Sequence, residues 1–218
     1  MNQRAFRAAL AGVFAVFSMS LAFGQVTLSA TGDADAVAGV AGGDDYADNN
    51  FGDRPWISEN WADSTEVIAH IQFDVSGFAA GTVASATLRL FQDFNGRDGI
   101  TYDVFQVMDA WSEATLTHDT RPTLNGTAAA SLTTVGTASG IWHEWDVTAL
   151  VQAWVDGAAD NHGMAIMRDP NEQPWPYFRS RENLDGNNPE LVVNVVPEPA
   201  SMAALGIGAA ALLRRRRK

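Results

Sequence analysis

Between residues 67 and 75, Val67, Ala69, Ile71, Phe73 and Val75 alternate with Ile68, His70, Gln72 and Asp74. A side-chain period of two marks a strand with one face on a core, so this segment predicts a half-buried strand. Ala86, Leu88 and Leu90 alternate against Thr87, Arg89 and Phe91 in the same way. Further strands are predicted over 100–108, 141–147, 163–168 and 190–196, separated by clusters of Gly, Asn, Asp and Pro. One segment has the helical period instead: Val147, Leu150, Val151 and Trp154 share a face. Asp146 or Thr148 stands where a cap would start this helix, and Gly157 where one would end it. No repeat of 20 to 50 residues runs through the chain. Many short strands with one helix predict an all-β fold, a single jelly-roll β-sandwich over residues 25–196 whose helix plugs an open end.

The two ends read as addresses. Arg4 and Arg7 precede an apolar stretch over 8–23, and Ala22, Phe23 and Gly24 offer a cleavage site before Gln25, so residues 1–24 are expected to be a signal peptide for signal peptidase. At the other end Pro197, Glu198 and Pro199 lead into an apolar run over 202–213 and then Arg214, Arg215, Arg216, Arg217 and Lys218. A helix of that length spans only ~20 Å against a ~30 Å hydrocarbon core, too short for a firm permanent anchor. In that order these features resemble the PEP-CTERM sorting signal of Gram-negative bacteria. The resemblance implies recognition and cleavage by an exosortase, with transient contact between the C-terminal helix over 197–218 and the inner membrane. It implies delivery to the cell surface or an exopolysaccharide matrix.

Charge narrows the function classes. Between the two ends the body holds seven arginines against 25 acids, a net charge of −18. Such a surface repels polyanions, and nucleic acid is excluded as a partner. The chain has no cysteine, which removes disulfides, thiolate metal sites and cysteine nucleophiles.

Six phrases occur in order along the body: Asp33-Ala34-Asp35-Ala36, His70 to Ser76, Val83 to Leu90, Trp111-Ser112-Glu113-Ala114-Thr115-Leu116-Thr117, Trp145-Asp146-Val147-Thr148 and Phe178-Arg179-Ser180-Arg181-Glu182. Together they resemble the DNRLRE-type domains, grouped with carbohydrate-binding module family 96, over about residues 26–195. The resemblance implies an extracellular β-sandwich of the kind found beside polysaccharide-degrading domains.

Two sets of residues are candidates for ligand contact. Asp44, Asp45, Asp48 and Asn49 lie in an acidic loop, and calcium takes about six to eight oxygen ligands from such loops. Asp33 and Asp35 could join them from the preceding strand, against the alternative of a solvated acidic turn. Asp93 to Gly99 departs from a calcium-binding EF-hand loop and reads as a turn with Asn95-Gly96 at its tip. Trp111, Trp145 and Trp154 fall in strand or helix contexts and are expected in the core. Trp56, Trp61 and Trp175 stand among polar residues, where an indole can stack on a sugar ring; Tyr177 and Arg97 are weaker candidates.

No catalytic residue is assigned. The four histidines lack metal-pair spacing, and no nucleophile-elbow motif is present. Glu113, Glu144, Glu182 and Asp146 are the carboxylates that a glycosidase pair would need. The expected function is an exported, non-catalytic carbohydrate-binding protein with a polysaccharide partner. The alternatives are a structural matrix protein without a specific glycan and, third, a polysaccharide lyase or hydrolase.

Overall fold

The computed structural model describes residues 24–41, 44–58, 66–94, 97–168 and 177–196. Residues 1–23 of the expected signal peptide, the sorting tail, Trp61, Trp175 and the Asn95-Gly96 tip lie outside them, while Gly24, the last residue of that expected peptide, opens the first strand. Thirteen strands and one helix follow in the described residues: β1 (Gly24–Ser29), β2 (Gly32–Ala38), β3 (Val40–Ala41), β4 (Asp44–Asp45), β5 (Trp56–Ile57), β6 (Glu66–Gln72), β7 (Val83–Phe94), β8 (Thr101–Gln106), β9 (Ala130–Thr133), β10 (Ile141–Asp146), α1 (Thr148–Val155), β11 (Met164–Arg168), β12 (Tyr177–Arg179) and β13 (Glu190–Val195).

The strands form two antiparallel sheets and a small β3–β4 ribbon. In the first sheet the long β7 is the spine. β10 pairs with one edge of β7, and on the other edge β13 pairs with its first half and β12 with its end. β1 then extends β13, and β5 extends β12. The second sheet runs β2-β6-β11-β8-β9. Period-two residues from both sheets meet between them: Ala86, Leu88 and Leu90 face Ile71, Tyr102, Val104, Met164 and Ile166, joined by Trp145, Phe178, Leu191 and Val193. Trp145, Phe178 and Tyr102 pack edge to face, and the Trp145 indole donates to the Tyr102 carbonyl at 3.2 Å. This is the all-β sandwich that the strand pattern predicts.

Helix α1 buries Leu150, Val151 and Trp154 in the same core, as its apolar face predicts. Its start differs from the expectation. Val147 occupies the cap position and has no side-chain cap bond, while the Asp146 carboxylate, one residue earlier, accepts from the first helical N–H, that of Thr148, at 3.0 Å. The Thr148 hydroxyl accepts from the backbone of Ala86 on β7 at 2.9 Å, so it stitches the helix to the sheet. Gly157 follows the helix with φ of 70°, a conformation that glycine adopts without penalty.

β6 is not half-buried. Ile68 and His70, on its far side, are as covered as Ala69 and Ile71. The segment from 107 to 125 folds back over the second sheet, where Val107 and Leu116, with Trp111 and Leu124 packed beside them, cover Ala34, Ala36, Ile68 and Ala165. A second, smaller core results. Trp111 is only half-buried there, contacting the His70 ring edge to face at 5.5 Å and donating from its indole to the His162 carbonyl at 2.8 Å.

Candidate functional site

The outer face of the first sheet carries two kinds of residue in rows. Because side chains alternate, Trp142 and Glu144 of β10, Arg89 and Phe91 of β7, Arg179 of β12 and Trp56 of β5 all point away from the core. Register places them side by side: Trp142 opposite Phe91, Glu144 opposite Arg89, and Arg179 opposite Trp56. The Arg179 guanidinium lies 5.0 Å from the centre of the Phe91 ring, closing the row across β7 and β12. One line of cross-strand neighbours therefore runs Trp142, Phe91, Arg179, Trp56. With strands ~4.8 Å apart, it is roughly 14 Å long.

The row is held rigidly. Asp93 accepts from the Trp56 indole at 3.2 Å and from Arg179 at 3.0 Å. Tyr177 packs edge to face on Trp56 at 5.6 Å, and Phe91 does so on Trp142 at 5.4 Å. Arg89 stacks on Trp142 at 4.4 Å and bonds Glu144 at 2.9 Å and Glu190 at 2.6 Å. Trp56, Phe91, Trp142 and Tyr177 are each half-buried. Beside the row, Gln25, Thr27, Thr87, Arg89, Glu144 and Asn194 contribute to the lining of a shallow recess of about 280 Å³. Rigid aromatic rings next to fixed amides, hydroxyls and charges give stacking surface and directional hydrogen bonds at little ordering cost.

Of the residues that the sequence offers for ligand contact, Trp56 and Tyr177 come together here. No contact joins Arg97 to them among the described residues; its carbonyl accepts from the Thr134 hydroxyl at 2.5 Å, beside the second sheet. Trp142 and Phe91 escape a search for aromatics in polar loops because both lie in strands. Their signal is alternation: Trp142 and Glu144 share a face opposite His143 and Trp145, as Phe91 does opposite Leu90 and Gln92.

A second cluster brings three acids together. Carboxylate oxygens of Asp33 on β2, Glu113 in the covering segment and Glu182 just after β12 lie within 4.8 Å of one another. Arg181 grips Glu113 with both arms, at 2.7 and 2.8 Å, and reaches Glu182 at 2.9 Å. The Arg181 backbone N–H donates to Asp33 at 2.8 Å, and the Asp33 N–H donates to Glu113 at 2.8 Å. Asn50 fixes the covering segment by donating to the carbonyls of Glu113 and Leu116, each at 2.7 Å. A Cβ at residue 52 would sit 2.5 Å from the Glu113 carbonyl oxygen, so Gly52 is what lets the two segments touch.

Burial dominates the electrostatics of this cluster. It pushes the Asp33 carboxyl up to about 8, helped by Glu182, Glu113 and Asp35 and opposed by the Arg181 N–H. Burial raises Glu182 as well. A side-chain hydrogen bond with Asp33 opposes that rise, and apart from it the buried Glu182 Oε2 has no partner among the described residues. The other acids proposed for metal lie elsewhere. Asp35 accepts from the Ser58 N–H at 2.9 Å, Asp45 accepts from the Ala47 N–H at 3.0 Å, and Asp48 and Asn49 are exposed in a turn beyond β4, of which Asp44 is the first residue.

An antiparallel two-sheet sandwich with aromatic side chains lined up on an outer sheet face has the build of a carbohydrate-binding module. Residues 26–195 match the family model for carbohydrate-binding module family 96, and the chain belongs to that family. Residues 195–218 match the PEP-CTERM protein-sorting motif. A search of the curated proteins finds no match. Family membership suggests carbohydrate binding, and the motif suggests exosortase-sorted export to the cell surface.

Proposed function

We propose that this protein binds polysaccharide, without catalysis, through the outer face of its first sheet, and that an exosortase delivers it to the cell surface or matrix of a Gram-negative bacterium, its C-terminal helix passing transiently through the inner membrane. The observation that carries the reading is the row Trp142, Phe91, Arg179, Trp56, with Tyr177 beside it. The non-catalytic part draws support from two of the four carboxylates that a glycosidase pair would need: Glu113 is held by both arms of Arg181, and Glu144 by Arg89.

Affinity gel electrophoresis on a polysaccharide panel, with melting temperature measured in parallel, tests the reading. Trp142→Ala and Tyr177→Ala should each lose retention while the fold survives, because both residues face outward. Unchanged retention in both variants, or no retention of the parent protein by any polysaccharide, would sink it. Release of reducing ends or unsaturated products from a retained polysaccharide would replace the non-catalytic reading with the lyase or hydrolase.

Calcium, if this protein holds it, fits Asp33, Glu113 and Glu182 better than the acidic loop. Three carboxylates converge there, within 4.8 Å of one another, and carboxylate oxygens are what a calcium ion takes. Bound calcium would tie β2, the covering segment and the end of β12 together in place of part of the Arg181 bonding.

A further inference from the structure

We infer that two copies of this chain join edge to edge through β1, antiparallel, with Thr27 of one copy facing Thr27 of the other. β1 is the outermost strand of its sheet, and among the described residues its one strand partner is β13. The other outer strands are guarded against such pairing: β5 is two residues long, β9 four, β2 is buried, and β10 carries Glu144 and Asp146. β1 has none of these devices. Its sequence, Gly-Gln-Val-Thr-Leu-Ser, holds no charge and no proline, and all of it but Leu28 is exposed. Its neighbour β13 adds one charge, Glu190, which Arg89 already engages at 2.6 Å. On a body carrying −18, this uncharged strip is where two copies approach with least repulsion.

Backbone phase fixes the register. The Ala30 N–H donates to the Pro189 carbonyl at 3.3 Å, and the β1–β13 ladder runs on from there without a shift. Ladder bonds alternate along an antiparallel strand. Leu28, Val26 and Gly24 therefore turn their N–H and C=O toward β13, while Ser29, Thr27 and Gln25 turn theirs to the open edge. Setting Thr27 against Thr27 of the second copy places Gln25 against its Ser29, and every edge-facing group of β1 then finds a partner; a slip by two residues leaves some unpaired. The same register sets Val26, 39% exposed, against Leu28 of the second copy, so apolar meets apolar and polar meets polar. The two-fold axis of this pairing stands perpendicular to the sheet, and the outer faces of both copies look the same way.

An edge of six residues is about 20 Å long and buries less than the ~1,000 Å² of a standing interface, so the dimer is weak and reversible. Sedimentation velocity on the exported protein, from about 5 to 500 µM and without polysaccharide, measures it independently of glycan binding. A monomer–dimer equilibrium is expected, shifted toward dimer when NaCl rises from about 0.05 to 0.3 M, because salt screens the two acidic bodies from each other. Thr27→Pro removes an N–H that β13 does not use, so it should keep the parent's Tm and lose the dimer. Val26→Lys, whose ammonium reaches water in the monomer, should lose it as well, and stands in if the proline variant fails to fold. A nitroxide on Thr27→Cys, in a chain with no other cysteine, reads the register. Its spectrum should show dipolar broadening that disappears on dilution with unlabelled protein, whereas a nitroxide on Thr133→Cys at the β9 edge should show none. A parent protein still monomeric at the highest concentration, a dimer that salt dissociates, or a dimer that survives Val26→Lys would overturn the inference. So would a dimer whose Thr27 label shows no broadening.

Discussion

Acidifying the protein from pH 7 to 4 should unfasten the second core through one residue. His70 is fully buried under the covering segment; its Nδ1 pairs with the Ile68 carbonyl at 3.1 Å, its Nε2 has no partner among the described residues, and Trp111 abuts the ring. Burial, with Arg121 adding like charge, holds its pKa down to about 4, against 6.5 for a free imidazole. Between these values the unfolded chain binds a proton that the folded chain refuses. Stability is therefore fully present above pH 6.5 and falls as the pH drops toward 4. At 1.36 kcal/mol per unit, the depression amounts to about 3 kcal/mol lost by pH 4, or roughly 6–12 °C in Tm for a domain of this size. Urea unfolding of the parent protein and of His70→Leu at pH 7, 6, 5 and 4 measures it, because other titrating groups, Asp33 and His143 included, are common to both and cancel in the difference. The gap between the two should shift by about 3 kcal/mol in favour of the variant across that range. Parallel curves would show that His70 is not held neutral in a closed core, and the account of the covering segment would fall with it.

Three further outcomes are expected. Glu113→Ala removes both Arg181 bonds and the acceptor of the buried Asp33 N–H, and should cost about 2–4 kcal/mol by urea unfolding; a change under 0.5 kcal/mol would mean that the latch does not form. Gly163→Ala combines φ of 93° with a Cβ placed 2.4 Å from the Ile71 carbonyl oxygen, and should lower Tm by several degrees, whereas Gly126→Ala, which meets nothing, should not. If calcium sits among Asp33, Glu113 and Glu182, Tm should rise with added calcium and fall with chelator, Glu182→Gln should abolish the response, and Asp45→Asn/Asp48→Asn should leave it; a response lost only in the latter variant would return the metal to the acidic loop.

What the sequence determined by itself is local. Period two over 67–75 and 86–91, and period 3.6 over 147–154, specify strands and a helix because side-chain direction follows from backbone geometry alone. The ordered phrases from Asp33 to Glu182 and the Pro-Glu-Pro tail identify the family and the sorting motif for the same reason: each is a short run read in place. Pairing was decided only by the tertiary structure. Alternation says that Trp142, Phe91, Arg179 and Trp56 avoid the core, but not that β10, β7, β12 and β5 lie side by side, and the row exists only through that non-local order. Asp33, Glu113 and Glu182 are scattered along the chain and meet because Asn50 and Gly52 draw the covering segment against β2. That same segment turned β6 from the predicted half-buried strand into one covered on both sides. A strand's own pattern carries its face, while what lies on that face comes from residues far away in the chain.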